Sequence, residues 1–329
     1  MIKTPGDFAG NETAAAAVRD ILDSGRFPRL IVIEGESGTG KKTLASIIAE
    51  GAVCENDDRP CGRCKGCLKF STGHPDVTRI GVDSGKKRAT IGVEDIRSVV
   101  SDAYVLPGEA ARKVYIIYDA DRLTQQAQNA LLKTVEDGPD YTLFIFLCTS
   151  RFMLLETVIS RSNVLSLSPV SLSDEKEYLK IRHPELSDEK CEELCAVSGG
   201  VIGRAERIIS GEDDGAQKDL IFLAGCIAGG AQTEFMTKLI SLSDDRHKMS
   251  DLLDELCILV RVALSLKTGA TLLIMPSHAE ASRKLCSAFS AERLVRIYES
   301  VCTAKESVLK NVSISLIIAL TAAEIFDIK

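Results

Sequence analysis

The sequence predicts an α/β domain with a parallel sheet and helices on both faces, followed by two helical domains. Five apolar segments of strand length alternate with amphipathic helical segments before Pro169, and this alternation favours a parallel sheet covered on both faces. Beyond Pro169 the strand pattern stops and apolar residues recur at helical spacing. We therefore expect an α/β domain at 1–168, a small helical domain at 169–210 and an all-helical domain at 211–329.

The predicted strands are short apolar runs bounded by polar or turn-forming residues. They cover 29–35, 77–82, 113–119, 142–149 and 163–168. Apolar residues at helical spacing predict helices between the strands at 41–53, 93–104 and 124–136. An earlier helix follows Asn11, whose side chain we expect to cap it. The predicted helices of the last domain cover 216–228, 233–243, 246–266, 291–310 and 313–326.

The charge balance argues against DNA binding by the chain alone. The net charge is -7 and the pI is near 5.4, whereas DNA binding depends on Lys and Arg neutralising phosphates. No stretch approaches the roughly 18 consecutive apolar residues of a membrane helix. The first residues, MIKTPGDFAGNE, have no apolar segment after a basic one. We therefore expect a cytoplasmic protein with no membrane partner, in which any DNA contact is local or shared.

The strongest nucleotide signal is GESGTGKKT, which lies between a predicted buried strand and a predicted helix. Its Gly35, Gly38 and Gly40 let backbone N–H groups face phosphates, and Lys41 is spaced to reach the terminal phosphates of a nucleotide. This is the G-x4-G-K spacing of a P-loop. The alternative is a glycine-rich turn that binds no ligand.

The residues that hold Mg²⁺ in a P-loop protein are altered here. Lys42 stands where a Ser or Thr hydroxyl binds the metal, and Thr43 comes one residue later, turned by about 100° on the helix. Asp119 ends a predicted strand, where a metal-orienting carboxylate is expected, but Ala120 follows it. We expect Asp121 to cap or begin the next helix. The sequence leaves open whether the loop binds ATP and Mg²⁺.

Four cysteines within a short segment predict a structural zinc site. Cys54, Cys61, Cys64 and Cys67 have the spacing C-x6-C-x2-C-x2-C, which lets tight turns direct four thiolates at one tetrahedral Zn²⁺. Disulfides or free thiols are the alternatives, and a reducing compartment disfavours disulfides. We expect the other seven cysteines to be small core residues rather than reactive thiols. They are Cys148, Cys191, Cys195, Cys226, Cys257, Cys286 and Cys302.

Two arginines are candidates for contacts with phosphate. Arg161 follows a short apolar helix in VISRS and could reach the γ-phosphate of a nucleotide held by a neighbouring subunit. Arg204 starts a helix after the turn GGVIG and could reach a nucleotide held by the α/β domain. The alternatives are an ordinary surface arginine at 161 and, at 204, a solvated residue that pairs with Glu206 or Asp213.

The order of these motifs resembles that of bacterial DNA polymerase III clamp-loader subunits, which are AAA+ proteins. The resemblance covers roughly residues 5–210, and the remainder is similar only in helical character. The shared motifs are the P-loop, the four-cysteine insertion, HPD (74–76), DADRLTQQAQNALLKTVED (119–137), the Ser-Arg pair (160–161) and GGVIGRA (199–205).

Two kinds of subunit share this layout: the gamma/tau type, which hydrolyses ATP, and the delta-prime type, a rigid stator. The gamma/tau type has Gly-Lys-Thr before a further Ser or Thr, and Asp-Glu after the strand, whereas this chain has Lys42 and Ala120 at those places. The resemblance therefore favours delta-prime. It implies an AAA+ domain with a zinc insertion at 54–67, a helical lid and a C-terminal collar domain.

The resemblance also assigns roles. Arg161 matches the family's arginine finger, although Ser-Arg-Ser replaces Ser-Arg-Cys, while Thr149 and Arg204 fall at the sensor 1 and sensor 2 positions. The implied partners are gamma/tau and delta subunits and, through the assembly, the sliding clamp and primed DNA. The competing hypotheses are an active gamma/tau-type ATPase, a stand-alone P-loop kinase and a metal-organised interaction module.

Overall fold

The structure is a computed structural model, and it describes residues 8–81, 90–210, 214–241, 246–268, 276–309 and 312–327. The chain divides into two compact units. The first comprises Met1–Arg182 with Gly199–Arg204, and the second comprises His183–Ser198 with Ala205–Lys329. The three-domain division stays a prediction.

The first unit is built on a parallel sheet. Within the described residues its strands are β1 (Leu30–Glu34), β2 (Val77–Ile80), β3 (Lys113–Ile117), β4 (Thr142–Cys148) and β5 (Asn163–Ser166). They are ordered β2-β3-β4-β1-β5, and each neighbouring pair is parallel. Because β1 lies between β4 and β5, the loop that follows its carboxyl end opens at the C-terminal edge of the sheet, with a strand on each side.

Helices accompany the strands and then replace them. Those up to Arg182 are α1 (Glu12–Ser24), α2 (Lys41–Val53), α3 (Lys65–Thr72), α4 (Val93–Ala103), α5 (Gln125–Asp137), α6 (Glu156–Ile159) and α7 (Leu172–Arg182). Those beyond it are α8 (Asp188–Ser198), α9 (Ile202–Ser210), α10 (Asp214–Gly229), α11 (Gln232–Ser241), α12 (Arg246–Thr268), α13 (Pro276–Ala288), α14 (Ala291–Leu309) and α15 (Ile314–Asp327).

The sheet is buried on both faces. Alternate side chains of β3 enter different cores: Val114 and Ile116 pack with α1 and α2, while Tyr115 and Ile117 pack with α4 and α5. Burial on two faces explains why the strands read as continuous apolar runs. The predicted α/β fold with helices on both faces is confirmed.

The second unit contains a core made by helices. Its buried residues lie on α10 to α15, with Phe235, Leu256 and Ile297 fully enclosed. Phe235 also packs edge-on against Phe326 of α15, with ring centroids 5.5 Å apart. This agrees with the all-helical character predicted for 211–329.

Most predicted elements are present within a few residues of their expected ends, but the capping role expected of Asn11 was wrong. Asn11 has a left-handed backbone and makes no capping bond; its side chain instead pairs with the backbone of Ser168, at 2.8 and 2.9 Å. Helices α3 and α13 were not predicted. The predicted ends at 82, 243 and 310 lie outside the described residues.

A membrane span is not found in the described part of the chain, since no helix there is long and apolar enough to cross a bilayer.

Candidate functional site

The glycine-rich segment forms a loop between β1 and α2, as a P-loop requires. Gly38 and Gly40 have φ angles of 90° and 96°, in the left-handed region that favours glycine. Helix α2 begins at Lys41, directly after Gly40. The N-terminus of α2 therefore adds its positive potential to the loop, a favourable setting for phosphate.

Lys41 extends along the loop rather than into solvent. Its Nζ donates hydrogen bonds to the carbonyl oxygens of Gly35 and Glu36, the latter at 2.8 Å. Burial lowers the pKa of Lys41, and the carboxylate of Asp121 is the strongest of the nearby charges that oppose this shift. The ammonium group is thus held inside the loop by its own backbone.

Neighbouring side chains lie directly against this loop. The N–H of Gly203 donates to the carbonyl of Gly38 at 2.9 Å, and a Cβ on Gly38 would come within 2.8 Å of Val201. A Cβ on Gly40 would come within 2.8 Å of the Phe8 ring. Any phosphate entering near Gly38 or Gly40 meets these residues of the same unit.

Lys42 packs on an aromatic ring at the end of β3. The side chains of Val114, Ile116 and Tyr118 share the face of the sheet that packs on α2. The Nζ of Lys42 lies 5.3 Å from the centre of the Tyr118 ring, within the range of a cation–π contact. β3 therefore directs Tyr118, not Asp119, at the residue after the P-loop lysine.

The residues that follow β3 form a 3-10 turn, Ala120–Arg122, which begins at Asp119 in a left-handed conformation. The expectation that Asp121 caps the next helix was wrong. Thr124 caps α5 by accepting a hydrogen bond from the N–H of Ala127 at 3.2 Å. The turn instead directs Asp121 inward.

Asp121 meets the predicted sensor residue. Thr149 donates a hydrogen bond to Asp121 Oδ2 at 2.9 Å, while Oδ1 is buried and has no hydrogen-bond partner. Burial raises the pKa of Asp121, and the charge of Lys41 opposes that shift. An acid, a hydroxyl and the P-loop lysine therefore share one buried neighbourhood. Thr43, the third residue of α2, is half-buried.

Arg161 is held by its own chain at the surface. Its Nε pairs with the carboxylate of Glu136 on α5, and its Nη1 donates to the Thr157 carbonyl at 3.0 Å and to the Ser160 hydroxyl at 3.2 Å. The side chain is 42% exposed. The guanidinium is thus oriented on two sides while remaining open to solvent.

Arg204 lies on α9 immediately after the residue that touches the P-loop. Its backbone N–H donates to Val201 at 2.8 Å, and this nitrogen would lie 3.4 Å from a Cβ on Gly38. Glu206, one of the partners suggested by the sequence, instead lies 3.1 Å from His183. Asp213 lies outside the described residues.

The four clustered cysteines converge on one point. All four Sγ atoms lie within 4.8 Å of one another, with Cys54–Cys64 at 3.8 Å and Cys61–Cys67 at 4.0 Å. Tetrahedral zinc with Zn–S bonds of about 2.3 Å requires S···S edges of about 3.8 Å. The cluster could therefore hold a metal ion.

The local electrostatics of the cluster also suit a cation. Backbone N–H groups, first that of Arg63, lower the pKa of Cys61 to about 6. Burial raises the pKa of Cys54 and of Cys67, because it disfavours their thiolates. A bound cation supplies the positive charge that stabilises all four thiolates.

Sequence reasoning did not identify several residues at these sites. Tyr118 reads as one more apolar strand residue, Phe8 belongs to no motif, and Val201 lies in GGVIGRA, where Arg204 alone was singled out. Glu136 lies inside the NALLKTVED segment, but its pairing with Arg161 depends on how α5 packs beside the end of α6, which no local pattern reports.

Comparison with known proteins links the first half of the chain to DNA replication proteins. A family model described as DNA polymerase III, delta subunit, matches residues 10–171. The delta' subunit of Haemophilus influenzae DNA polymerase III is 32% identical over 165 residues, which cover 50% of each chain. The gamma/tau subunit of Mycoplasma pneumoniae is 33% identical over 156 residues, covering 47% of this chain and 22% of that one.

Longer matches of lower sequence identity exist as well. The tau subunit of Bacillus subtilis is 26% identical over 253 residues, 75% of this chain and 39% of that one. The chain thus spans half or less of each relative named here. Among solved structures, a gamma subunit-related protein from Thermotoga maritima has a TM-score of 0.47 at 16% identity, covering 95% of this chain and 98% of that one.

The family model and the subunits matched by sequence point to the same family as the order of the motifs. Residues 10–171 are therefore similar to bacterial DNA polymerase III clamp-loader subunits.

Proposed function

We propose that this chain is a delta-prime-type subunit of the clamp loader, a stator that does not hydrolyse ATP and supplies Arg161 to the nucleotide site of a neighbouring gamma/tau subunit. Its relatives include both delta' and gamma/tau subunits, so the side chains of the nucleotide site must decide between them.

The contact between Lys42 and Tyr118 carries this proposal. P-loop proteins hold Mg²⁺ with the hydroxyl that follows the lysine and with a carboxylate at the end of a neighbouring strand. Here the ammonium group of Lys42 takes the place of that hydroxyl and lies 5.3 Å from the centre of the Tyr118 ring, while Asp119, at the expected place of the carboxylate, follows the ring in a left-handed turn. An ammonium group in the place of a ligand hydroxyl does not fit Mg²⁺, and Ala120 stands where an active ATPase has its Glu base.

The environment of Arg161 supports its role in trans. An arginine finger must be exposed enough to reach a neighbour and ordered enough to present its planar donors. The side chain of Arg161 is 42% exposed, and contacts on its Nε and Nη1 fix the plane of the guanidinium. Insertion into a partner's site would place a fixed positive charge near the developing charge of the transferred phosphoryl group.

We further propose that the cysteine cluster holds Zn²⁺ in a structural role. Four thiol ligands close the coordination shell, which leaves no open position for catalysis. The metal would fix the segment between α2 and α3; in the first turn of α3, Gly66 packs so closely on the end of α2 that a Cβ would meet the Val53 carbonyl at 2.2 Å. The expected partners remain gamma/tau and delta subunits, with clamp and primed DNA reached through the assembly.

A reconstituted loader tests the role of Arg161. Arg161→Ala should leave the purified chain folded and able to assemble, but lower the ATP turnover of the loader when clamp and primed DNA are present. Arg151→Ala is a suitable control, since Arg151 is a comparably exposed arginine of the same unit, at 42%. Equal turnover by both variants would reject the arginine-finger role.

A second candidate function is an ATP-hydrolysing subunit of the gamma/tau type. The observation that favours it is Asp121, whose carboxylate lies with Thr149 near Lys41 and has one buried oxygen without a hydrogen-bond partner. In that case Asp121 would take the role of the Glu that Ala120 replaces. Turnover by the isolated chain that disappears in Asp121→Asn would establish this candidate and exclude the stator.

A further inference from the structure

Two cysteines of the second unit lie close together on neighbouring helices. The Sγ atoms of Cys257 on α12 and Cys302 on α14 are 3.6 Å apart, although 45 positions separate them in the chain. Both side chains are half-buried rather than enclosed. No sequence motif pairs them, because each lies alone in an amphipathic helix.

The helices are aligned so that this approach is fixed. One turn away, Asp254 of α12 pairs with Lys305 of α14 at 2.5 Å. From the ion pair to the thiol pair, the position moves three residues forward on α12 and three residues backward on α14. Facing residues of an antiparallel helix pair repeat in this way every turn. The ion pair and the thiol pair are therefore successive contacts of one register.

Only a short movement separates the two sulfur atoms from bonding distance. A disulfide requires an S–S distance of about 2.05 Å, so the sulfur atoms must approach by about 1.5 Å. Rotation about the side-chain torsions of two half-buried cysteines can supply such a movement. Cys286 on α13 makes a different contact: its backbone carbonyl accepts a hydrogen bond from Lys267 Nζ at 2.9 Å.

We propose that Cys257 and Cys302 form a redox modification site that closes to a disulfide on reaction with a low-molecular-weight disulfide, and so staples α12 to α14. The thiolate of Cys302 attacks one sulfur of the external disulfide, forming a mixed disulfide and releasing one thiolate. Cys257 then loses its proton and attacks the Cys302 sulfur, which expels the second thiolate. Two protein thiols are oxidised and one external disulfide is reduced to two thiols.

The order of attack follows from the surroundings of the two thiols. Burial and the neighbouring Cys302 raise the pKa of Cys257, while the charge of Lys305 opposes the shift. A thiol that is mostly protonated is a poor first nucleophile. Cys257 therefore acts as the resolving residue, held beside the mixed disulfide by the helix register.

The full-length, zinc-loaded chain tests the proposal. It is incubated with oxidised glutathione, quenched with an alkylating agent, digested and examined by mass spectrometry. The expected product is a peptide pair joined through Cys257 and Cys302, with both residues lost together from the alkylated pool and Cys286 retained. The intact mass should fall by about 2 Da per molecule. Cys257→Ser and Cys302→Ser should each abolish the joined pair, whereas Cys286→Ser should preserve it.

Three results would overturn the proposal: alkylation of Cys257 and Cys302 to the same extent as Cys286, mixed disulfides with glutathione that never resolve, or pairing of either residue with another cysteine. Thermal unfolding provides an independent measurement on the unmutated protein. The oxidised chain should have a higher Tm than the reduced chain, because the disulfide restricts the unfolded state. An unchanged or lower Tm in the cross-linked protein would refute the staple.

Discussion

Restoring the missing hydroxyl by Lys42→Thr should not restore ATP hydrolysis. The substitution recreates the Gly-Lys-Thr sequence of an active P-loop but leaves Tyr118 on the face of the sheet that packs on α2, Asp119 in a left-handed turn and Ala120 in the place of the Glu base. A hydroxyl alone supplies one ligand of the metal and no base to activate water. We therefore expect no Mg²⁺-dependent turnover above that of the unmutated chain.

The effect of this substitution on stability should be small, so that a negative result is informative. The contact of Lys42 with the Tyr118 ring at 5.3 Å is exposed to solvent and worth about 0.5–1 kcal/mol. Lys42 is also the second residue of α2, where a positive charge opposes the helix dipole by about 0.3–1 kcal/mol. These terms nearly cancel. The Tm should therefore change by less than about 4 °C.

The assay measures Mg²⁺-dependent phosphate release and thermal unfolding on the same preparations. Tyr118→Phe, which keeps the ring, is a control that should match the unmutated chain in turnover. Lys133→Thr, on the exposed face of α5, controls for replacing a helical lysine. If Lys42→Thr hydrolysed ATP at a rate comparable to a gamma/tau subunit, Tyr118 and Ala120 would not be the obstacle, and the reasoning would fail.

Three further predictions concern positioning, pH and metal. Glu136→Gln, which removes the charge that holds Arg161, should lower the turnover of the assembled loader about two- to fivefold, as expected for an exposed ion pair, and less than Arg161→Ala does; an effect equal to that of Arg161→Ala would contradict a purely positioning role. Asp76→Asn should cost about 2–4 kcal/mol, because the buried carboxylate accepts three backbone N–H bonds at 2.6–2.8 Å. Burial opposes ionisation, but these bonds lower the pKa of Asp76 overall. The stability that Asp76 contributes is therefore complete above the unfolded pKa of about 3.9 and is lost as pH falls through the lower folded pKa. In an acid titration of unfolding, the difference in stability between the two proteins should shrink, and a difference that stays constant would contradict this prediction. Removal of metal by a chelator, or Cys61→Ser, should lower the Tm and expose the 54–67 segment to protease, and a protease pattern unchanged by the chelator would contradict a structural metal.

The sequence was informative wherever one local pattern decides the outcome. Helix α2 begins and ends at the expected residues because the loop glycines stop the strand before it. The cysteine spacing correctly grouped four thiols that the structure brings within 4.8 Å of one another, since closely spaced cysteines meet through tight turns. Helix α13 was missed because PSHAEASRKLCSA contains few large apolar residues; Ala281 and Leu285 are nevertheless fully buried.

The remaining differences depend on residues distant in sequence. Asn11 satisfies the backbone of Ser168 instead of its own helix, a choice made by tertiary packing. The direction of Asp121 is set by a 3-10 turn that spacing alone did not reveal, and its partner Thr149 comes from the end of another strand. The approach of Cys257 to Cys302 likewise depends on helix register and not on any motif.

The most direct test of the account is steady-state Mg²⁺-dependent ATP turnover by the purified chain, compared with a gamma/tau subunit assayed alone under identical conditions. The contact between Lys42 and Tyr118, together with Ala120, predicts no turnover above background. Turnover comparable to the gamma/tau control would contradict the stator and make Asp121 the acid to examine next.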